Sequence, residues 1–437
     1  MPSSSTRRPP SPPDATDLNG HPPRSPTLQP EIALAYAREL SYPRRVGTPG
    51  EAAAIEAIAA RLTAAGYAVE RQVFAFSTGG QVAASLELVA ALTLILLIFW
   101  AWGVSLLAGL VPAALLLALL ALTGCLQRLA GAASLQPAPG EAISRWRRLW
   151  LRLGEHCQSI NVVARSPEPP AAGPPAARAR LYLVAHSDSK SQALPLVARM
   201  LLIALAGLAA VVFASLTLLR PLWPGVTSAA ALAGLFALVV GVVVLFLFLA
   251  GAGNASPGAI DNASGAGLVL HLAEVLAEAR PLLDVTWLVT GAEELGVVGA
   301  TAFVLSEQRA GRLAQAGGNG GAYVLNFDGI GAAGRLALVG GGRTNQLAAI
   351  VRACCVELHL PLGRLPLVGA LFDHIPFEEA GCQAVSLVTL GPAGRSVHTR
   401  SDSADKLDVG GFRQAGEVAL RVVEKLEKSD WGLALRD

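Results

Sequence analysis

The chain has few charged residues and only five cysteines, which form no CxxC pair. Asp, Glu, Lys and Arg make up 15% of its 437 residues, 53% are hydrophobic, and the mean hydropathy is +0.49. An ordinary soluble enzyme of this length is more polar, so we expect part of the chain to lie in lipid. The scattered cysteines favour reduced core residues over a disulfide framework or a zinc-thiolate site.

Two further absences narrow the function classes. No GxSxG segment occurs, which argues against a serine hydrolase that acts through a nucleophile elbow. Residues 1–30 lack the apolar core of a signal peptide and are rich in Pro and Ser. They are therefore predicted to form a disordered tail.

Charged residues are also absent from two long apolar stretches. None lies between Leu88 and Arg128, and none lies in residues 221–260. A helix crosses a bilayer with about 20 apolar residues, so we predict transmembrane hairpins at residues 85–127 and 194–252, about four membrane helices in total. No charged side chain lies deep in these hairpins, which argues against an ion transporter.

Basic residues indicate the orientation. Two hairpins return the chain to the side that it left, so all polar segments share one side of the membrane. That side carries most of the flanking Arg and Lys, concentrated in SRWRRLWLRL (144–153), while the opposite loops carry only Arg220. The positive-inside rule favours a cytoplasmic soluble domain, with an extracytoplasmic domain as the alternative. Residues 144–153 have the pattern of an interfacial helix on lipid headgroups; a solvated helix packed on the soluble domain is the other interpretation.

The polar segments show the alternation of strands and helices that is typical of an α/β domain. Apolar runs at 181–188, 285–294 and 322–329 have the composition of buried parallel strands. The predicted fold is a three-layer α/β/α sandwich with a mostly parallel central sheet, interrupted by the two transmembrane hairpins. The peptide segments that build this domain are residues 31–84, 128–193 with the basic helix, and 253–437.

Acids and histidines cluster where the apolar runs end. The set comprises His186, Asp188, Asp261, Glu293, Glu294, Asp328 and His398. In open α/β sheets, chemistry collects at the carboxyl ends of the strands, but so many carboxylates in one cleft oppose each other's ionisation. Two Zn²⁺ ions, or other divalent metals, balance three carboxylates and a hydroxide, so the sequence predicts a two-metal site.

Spacing suggests roles for several of these residues. Asp188 follows His186 by two positions, where it can accept the second ring N–H of the imidazole. The adjacent side chains of Glu293 and Glu294 diverge, so Glu293 can act as general base while Glu294 binds metal. Asp261 is the candidate to bridge the two ions, although capping of the helix that follows is compatible with the same position.

The same residues stand in motifs that resemble those of the M28 zinc aminopeptidases. These motifs are AHSDS (185–189), PGAIDNASG (257–265), TGAEELGVVGA (290–300), NFDGIG (326–331), FDHIPFEEAG (372–381) and VHTRSDSADKLD (397–408), and the segment at 42–70 is also similar. The resemblance implies that Asp261 bridges, with His186 and Asp328 on one ion and Glu294 and His398 on the other. It also implies that Glu293 is the catalytic base and that Asp188 orients His186.

The FDHIPF segment contributes two candidates for the substrate pocket, His374 and Phe377. A local hydrogen bond is the other interpretation of His374. One departure from the family pattern concerns the predicted hairpin at 194–252, which separates AHSDS from PGAIDNASG. This insertion predicts a cleft close to the bilayer.

The expected function is that of a membrane-bound dizinc exopeptidase, which hydrolyses the N-terminal residue from peptides through a metal-activated hydroxide. Its expected partners are peptides and the lipid bilayer, and the formal net charge of +2 gives no reason to expect a nucleic acid. Alternatives are a related amidohydrolase, namely a carboxypeptidase, a deacylase or a glutaminyl cyclase, and a non-catalytic receptor or scaffold on the same fold. The sequence leaves the oligomeric state and the substrate side chain open.

Overall fold

The computed structural model describes residues 27–105, 107–137, 143–167, 179–313, 321–365 and 371–430, so most of the predicted disordered tail lies outside it. The helices are α1 Pro30–Glu39, α2 Pro49–Ala64, α3 Gly79–Val104, α4 Leu110–Ser134, α5 Arg145–Leu151, α6 Leu196–Leu219, α7 Thr227–Leu249, α8 Ser264–Ala279, α9 Val298–Arg309, α10 Gln346–Glu357, α11 His374–Glu379 and α12 Val409–Asp430. The strands are β1 Ala68–Ser77, β2 His156–Arg165, β3 Arg180–His186, β4 Asp284–Thr290, β5 Ala322–Phe327, β6 Arg335–Gly340, β7 Gly363–Arg364 and β8 Gln383–Leu390.

The strands form one eight-stranded sheet in the order β1-β2-β4-β3-β5-β8-β6-β7. Its central strands β4, β3, β5 and β8 run parallel to one another. Antiparallel pairs join β1 to β2, β2 to β4 and β8 to β6, so the reversed strands lie towards the two edges. The predicted parallel centre is confirmed, and it brings the carboxyl ends of four strands to one edge of the sheet.

Helices cover both faces of the sheet, and the alternation of side chains along β3 shows why. Leu181 and Leu183 are buried against the layer that contains α1, α2, α8, α10 and α12. Tyr182 and Val184 point to the opposite face, where α9 and α11 contribute Phe303 and Phe377. Each apolar run therefore fills two cores at once, and the predicted α/β/α sandwich is confirmed.

Four of the described helices, α3, α4, α6 and α7, are long and apolar enough to cross a membrane. They pair as two hairpins, which pack into one cluster where the ring of Phe213 lies 5.0 Å from that of Phe99. Gly234 of α7 faces Phe213 of α6 without space for a larger side chain, so the two helices approach each other closely at this point. The first hairpin extends beyond the predicted residues 85–127 because both of its helices continue past the charge-free stretch.

Both hairpins join the sandwich through backbone pairing at their feet, Phe76 with Leu135 for the first and Ser191 with Gly253 for the second. Ser191 and Gly253 exchange backbone hydrogen bonds of 2.9 and 2.8 Å, which closes the foot of the second hairpin. The basic segment predicted at 144–153 forms α5, whose Trp150 Nε1 donates to the Ala130 carbonyl of α4 at 3.0 Å. Trp146 of α5 is 78% exposed. The second hairpin is thus tied to the sandwich at both of its ends.

Candidate metal centre

Three strand ends and two loops supply the candidate ligands. His186 is the last residue of β3, Glu293 and Glu294 follow β4, and Asp328 follows β5. Because these strands are parallel neighbours, their ends meet at one edge of the sheet. Asp261 comes from the loop before α8, and His398 from the loop after β8. The structure brings all of them together.

The ligands form two groups that share Asp261. In the first group, which we call the His186 position, His186 Nε2 lies 3.0 Å from Asp261 Oδ1 and 3.7 Å from Asp328 Oδ1. In the second group, the His398 position, His398 Nε2 lies 3.0 Å from Asp261 Oδ2 and 3.1 Å from Glu294 Oε1. Asp261 offers one oxygen to each position, the arrangement of a bridging carboxylate.

The polar atoms of these residues fit metal ions better than they fit one another. His186 Nε2, His398 Nε2 and Glu294 Oε1 are buried and have no hydrogen-bond partner among the described residues. Buried polar atoms without a partner are costly, and a metal ion between them would give each one a bond. Imidazole nitrogens with carboxylate oxygens are a donor set that zinc accepts.

The electrostatics of the cluster also favour a bound cation. Burial lowers the pKa of His398, but the negative charge of Glu294 and the close approach of the Asp261 carboxylate outweigh burial and raise the pKa to about 9. Burial would raise the pKa of Asp261, yet the two histidines hold it well below its usual range. The pocket therefore attracts positive charge to the space between the carboxylates.

Asp188 supports the centre in a different manner from the one predicted. Its carboxylate accepts the backbone N–H groups of Glu293 at 3.1 Å and Glu294 at 3.2 Å. The ring of His186 instead directs Nδ1 to the Asp188 backbone carbonyl at 3.1 Å, with the carboxylate oxygen farther away at 3.6 Å. One residue thus holds both the histidine and the acidic turn.

The acidic turn itself depends on unusual backbone angles. Ala292 and Val297, which flank Glu293 and Glu294, have φ angles of 55° and 52°, a region that side chains other than glycine rarely occupy. The turn places Glu293 Oε2 3.9 Å from His186 Nε2, while Glu294 points to His398. Burial, the largest cause, raises the pKa of Glu293 well above its ordinary value.

Asn262 fixes the loop that carries Asp261. Its Nδ2 donates to the Phe327 carbonyl at 2.8 Å, and its Oδ1 accepts the N–H of Gly265 at 3.0 Å in the first turn of α8. The peptide bond between Asp261 and Asn262 is cis. The asparagine, not Asp261, therefore serves the start of the helix, and Asp261 is left to the metal centre.

Sequence analysis missed two buried charged residues that hold the ligand loops. Asp402 accepts the N–H of Ile260 at 2.7 Å and of Asp261 at 3.3 Å, and burial raises its pKa to about 7. Arg44 is buried and donates to the carbonyls of Ser187 and Gly258. Both residues stand inside the quoted motifs, but only the fold shows that they are buried.

A third missed residue lies beside Glu294. Lys190 Nζ is 2.7 Å from Glu294 Oε2 and donates to the Glu294 carbonyl at 3.2 Å. Two positions further on, Gln192 Oε1 lies 3.3 Å from His398 Nδ1. Their closeness in sequence to His186 and Asp188 was the available signal.

The two candidates for the substrate pocket lie in the interior. His374 Nδ1 lies 2.6 Å from Ser386 Oγ, which agrees with the interpretation of a local hydrogen bond, and burial lowers the pKa of the ring to about 4. Phe377 is fully buried and packs against Tyr182, with ring centroids 5.6 Å apart. In this structure Phe377 offers no surface to a substrate, because α11 turns that side chain into the core.

Imidazole and carboxylate groups that share one bridging acid, at the carboxyl ends of parallel strands, are typical of metal-dependent hydrolases. Residues 240–423 match the model of peptidase family M28. This match agrees with the sequence motifs that resemble those of the M28 zinc aminopeptidases. Four proposed ligands and Glu293 lie within the matched residues, while His186 and Asp188 precede them, beyond the second hairpin.

Individual relatives agree with this family. Aminopeptidase YwaD of Bacillus subtilis (strain 168) is 27% identical over 186 residues, which cover 40% of this chain and 39% of that protein's length. A solved zinc aminopeptidase from Bacillus subtilis has a TM-score of 0.51 at 17% identity, covering 92% of this chain and 96% of the other. A glutaminyl cyclase from an Acidobacteriales bacterium has a TM-score of 0.52 at 13% identity, covering 97% and 100%. At these identities the structural likenesses show the fold.

Proposed function

We propose that this protein is a membrane-embedded dizinc aminopeptidase that removes the N-terminal residue from peptides. The observation that carries the proposal is the pair of ligand groups that share Asp261, with Glu293 Oε2 3.9 Å from His186 Nε2. The five ligands are His186, Asp261, Glu294, Asp328 and His398. Such a constellation supports hydrolysis of an amide at a two-metal site.

Each residue of the site has a defined task in this proposal. Zinc ions, when bound, would polarise the scissile carbonyl and lower the pKa of water. Glu293 Oε2 takes the proton from the attacking water and later returns it to the leaving amine. Burial raises the pKa of Glu293, which makes the carboxylate a stronger base. Asp188, by accepting the N–H groups of Glu293 and Glu294, keeps the base and its neighbouring ligand in fixed directions.

The Glu293→Gln substitution tests this mechanism. Gln keeps the size of the side chain but cannot take the proton, so we expect turnover of aminoacyl-anilides to fall about 100- to 10,000-fold. Because Glu293 is not a ligand, the variant should still bind two zinc ions, whereas Asp261→Asn should lose metal. Glu278→Gln, on the exposed side of α8, is the matched control. Wild-type turnover by the Glu293→Gln protein would refute the assignment.

A glutaminyl cyclase is the second candidate, favoured by the likeness to solved glutaminyl cyclases. Peptides that begin with glutamine separate the two functions. An aminopeptidase releases free glutamine, whereas a cyclase releases ammonia and leaves the peptide chain intact. Substrates with a blocked N-terminus separate both from a deacylase, and hydrolysis confined to free-amine peptides supports the aminopeptidase.

We further propose that the domain is anchored at the cytoplasmic face by its two hairpins. The four apolar helices, the exposed Trp146 and the basic face of α5 support this proposal. Arg145, Arg148 and Arg152 are exposed and form no ion pair among the described residues, so they are available to anionic lipid headgroups. The sandwich would then comprise residues 31–84, 128–193 and 253–437, all on one side of the membrane.

A further inference from the structure

The segment that leads into the second hairpin contacts the His398 position. Lys190, Ser191 and Gln192 lie between the ligand His186 and the start of α6 at Leu196. Ser191 is fixed by its backbone pairing with Gly253 at the other end of the hairpin. Lys190 and Gln192, on either side of Ser191, therefore belong to a stretch of chain that this pairing holds in place.

Lys190 acts on one oxygen of Glu294. Its Nζ lies 2.7 Å from Oε2, while Oε1 of the same carboxylate lies 3.1 Å from His398 Nε2. The lysine side chain is only 17% exposed, so water screens this contact weakly. Glu294 consequently has one oxygen bound to a cation of the protein and one oxygen directed at the metal position.

Gln192 acts on the other ligand of the same position. Its Oε1 lies 3.3 Å from His398 Nδ1, and its backbone N–H donates to the His398 carbonyl at 2.9 Å. A histidine that binds metal through Nε2 needs an acceptor for its second ring N–H, and Gln192 supplies one. At the His186 position this task belongs to the Asp188 carbonyl, which does not belong to the lead-in segment.

We propose that Lys190 and Gln192 are positioning residues of the His398 position, so that the foot of the second hairpin forms part of one metal site. Lys190 makes Glu294 a one-oxygen ligand, and its charge weakens the binding of a cation there. Gln192 orients His398 and strengthens that binding. Among the residues that the structure describes, no lysine contacts the His186 position, which has Glu293 beside it. This inference rests on the proposed two-metal function.

Cobalt titration of the full chain in detergent micelles tests the role of Lys190. The protein is freed of metal, and Co²⁺ is added while its visible absorption is recorded, because that absorption reports the number of ligands. In Lys190→Met the repelling charge is gone and Oε2 is free to bind, so the His398 position should bind Co²⁺ about tenfold more tightly or better. Its absorption should weaken as the ligand number rises, and Lys190→Arg should restore the wild-type affinity and spectrum.

The opposite effect is expected for Gln192. Gln192→Leu removes the acceptor for His398, so affinity at the same position should fall about 10- to 100-fold, and Gln192→Glu should restore it. Lys425→Met is the matched control, since Lys425 pairs with Glu357 at the surface between α10 and α12. Performing the titrations in an Asp328→Asn background weakens the His186 position and assigns the remaining step to the His398 position.

The outcomes separate this inference from the proposed function. Wild-type protein that binds fewer than two Co²⁺ ions contradicts the proposed function itself. If the wild type binds two ions, an unchanged or weaker affinity in Lys190→Met overturns the role of Lys190. Wild-type affinity in Gln192→Leu overturns the role of Gln192.

Discussion

Arg44 offers a test of how the ligand loops are held. Its side chain is 1% exposed, and the guanidinium donates to the backbone carbonyls of Leu40, Tyr42, Ser187, Pro257 and Gly258. Ser187 follows the ligand His186, and Gly258 lies in the segment that leads to Asp261. One side chain therefore joins the first helix region to two ligand loops, and the perturbation of choice is Arg44→Lys.

The expected loss of stability follows from the number of donors. A lysine ammonium has three N–H groups, so it cannot satisfy all the carbonyls that Arg44 satisfies, and about two of them lose their partner. Each buried unsatisfied carbonyl costs about 1–3 kcal/mol, which gives about 2–6 kcal/mol in total. Burial already lowers the pKa of Arg44 to about 10. The same burial acts on a lysine, which has a lower pKa in water of about 10.4, and so adds to the loss.

Thermal unfolding and zinc affinity of the purified protein measure the effect. Arg44→Lys should lower the Tm by several degrees, at about 2–4 °C per kcal/mol for a domain of this size class. It should also weaken zinc binding, because both ligand loops lose an anchor. Arg61→Lys is the control, since Arg61 makes an exposed pair with Glu39 that is worth about 1 kcal/mol or less. If the Arg44→Lys and Arg61→Lys variants had the same Tm and the same zinc affinity, Arg44 would not anchor the ligand loops.

Two further predictions concern acid stability and membrane orientation. Because burial holds the pKa of His374 at about 4 in the folded protein, against about 6.5 when exposed, only the unfolded chain takes up this proton as the pH falls. The contribution of neutral His374 to the free energy of unfolding is fully present above pH ~6.5 and declines by about 3 kcal/mol towards pH 4. The free energies of unfolding of wild type and His374→Gln should therefore diverge as the pH falls. Parallel pH curves for the two proteins would contradict this. For orientation, a membrane-impermeant maleimide should label the Leu222→Cys variant in intact cells and the Val356→Cys variant only after permeabilisation. The reverse pattern would contradict the cytoplasmic side, and labelling of both in intact cells would contradict the two-hairpin topology.

The apolar runs made the centre of the fold predictable. Strands β3, β4 and β5 are buried on both faces, so their sequences are short, nearly continuous apolar stretches. The short strand β7, Gly363–Arg364, and the helix α11 were missed, because two or six residues carry too little periodicity. The first hairpin is longer than predicted because α3 and α4 continue beyond the charge-free stretch, where hydropathy no longer marks them.

The candidate ligands were predictable for a different reason. Each lies next to a strand end or a glycine-rich loop, where a charged residue does not serve the hydrophobic core. The motifs then indicated which ligands share one metal position. Arg44 and Asp402 could not be recognised, since a lone Arg or Asp is most often solvated, and the only signal for Lys190 was its closeness in sequence to His186. Their burial is decided by the packing of segments far apart in sequence. The detailed contact of Asp188 was also beyond the sequence, because a spacing of two residues allows either its carboxylate or its carbonyl to meet His186.

The second hairpin enters the domain between two ligands without disturbing the site, and its closed foot explains how. Since Ser191 pairs with Gly253, the inserted residues leave and re-enter the sandwich at adjacent points, much as a short surface loop would. Under the proposed membrane anchoring, the insertion also limits the distance between the centre and the bilayer. Gln192, which contacts His398, is separated from Leu196 at the start of α6 by so few residues that the chain between them spans at most about 14 Å. Under the proposed function, peptides would therefore be cleaved beside the headgroup region, and a substrate held at that surface would reach the metal centre without leaving the membrane.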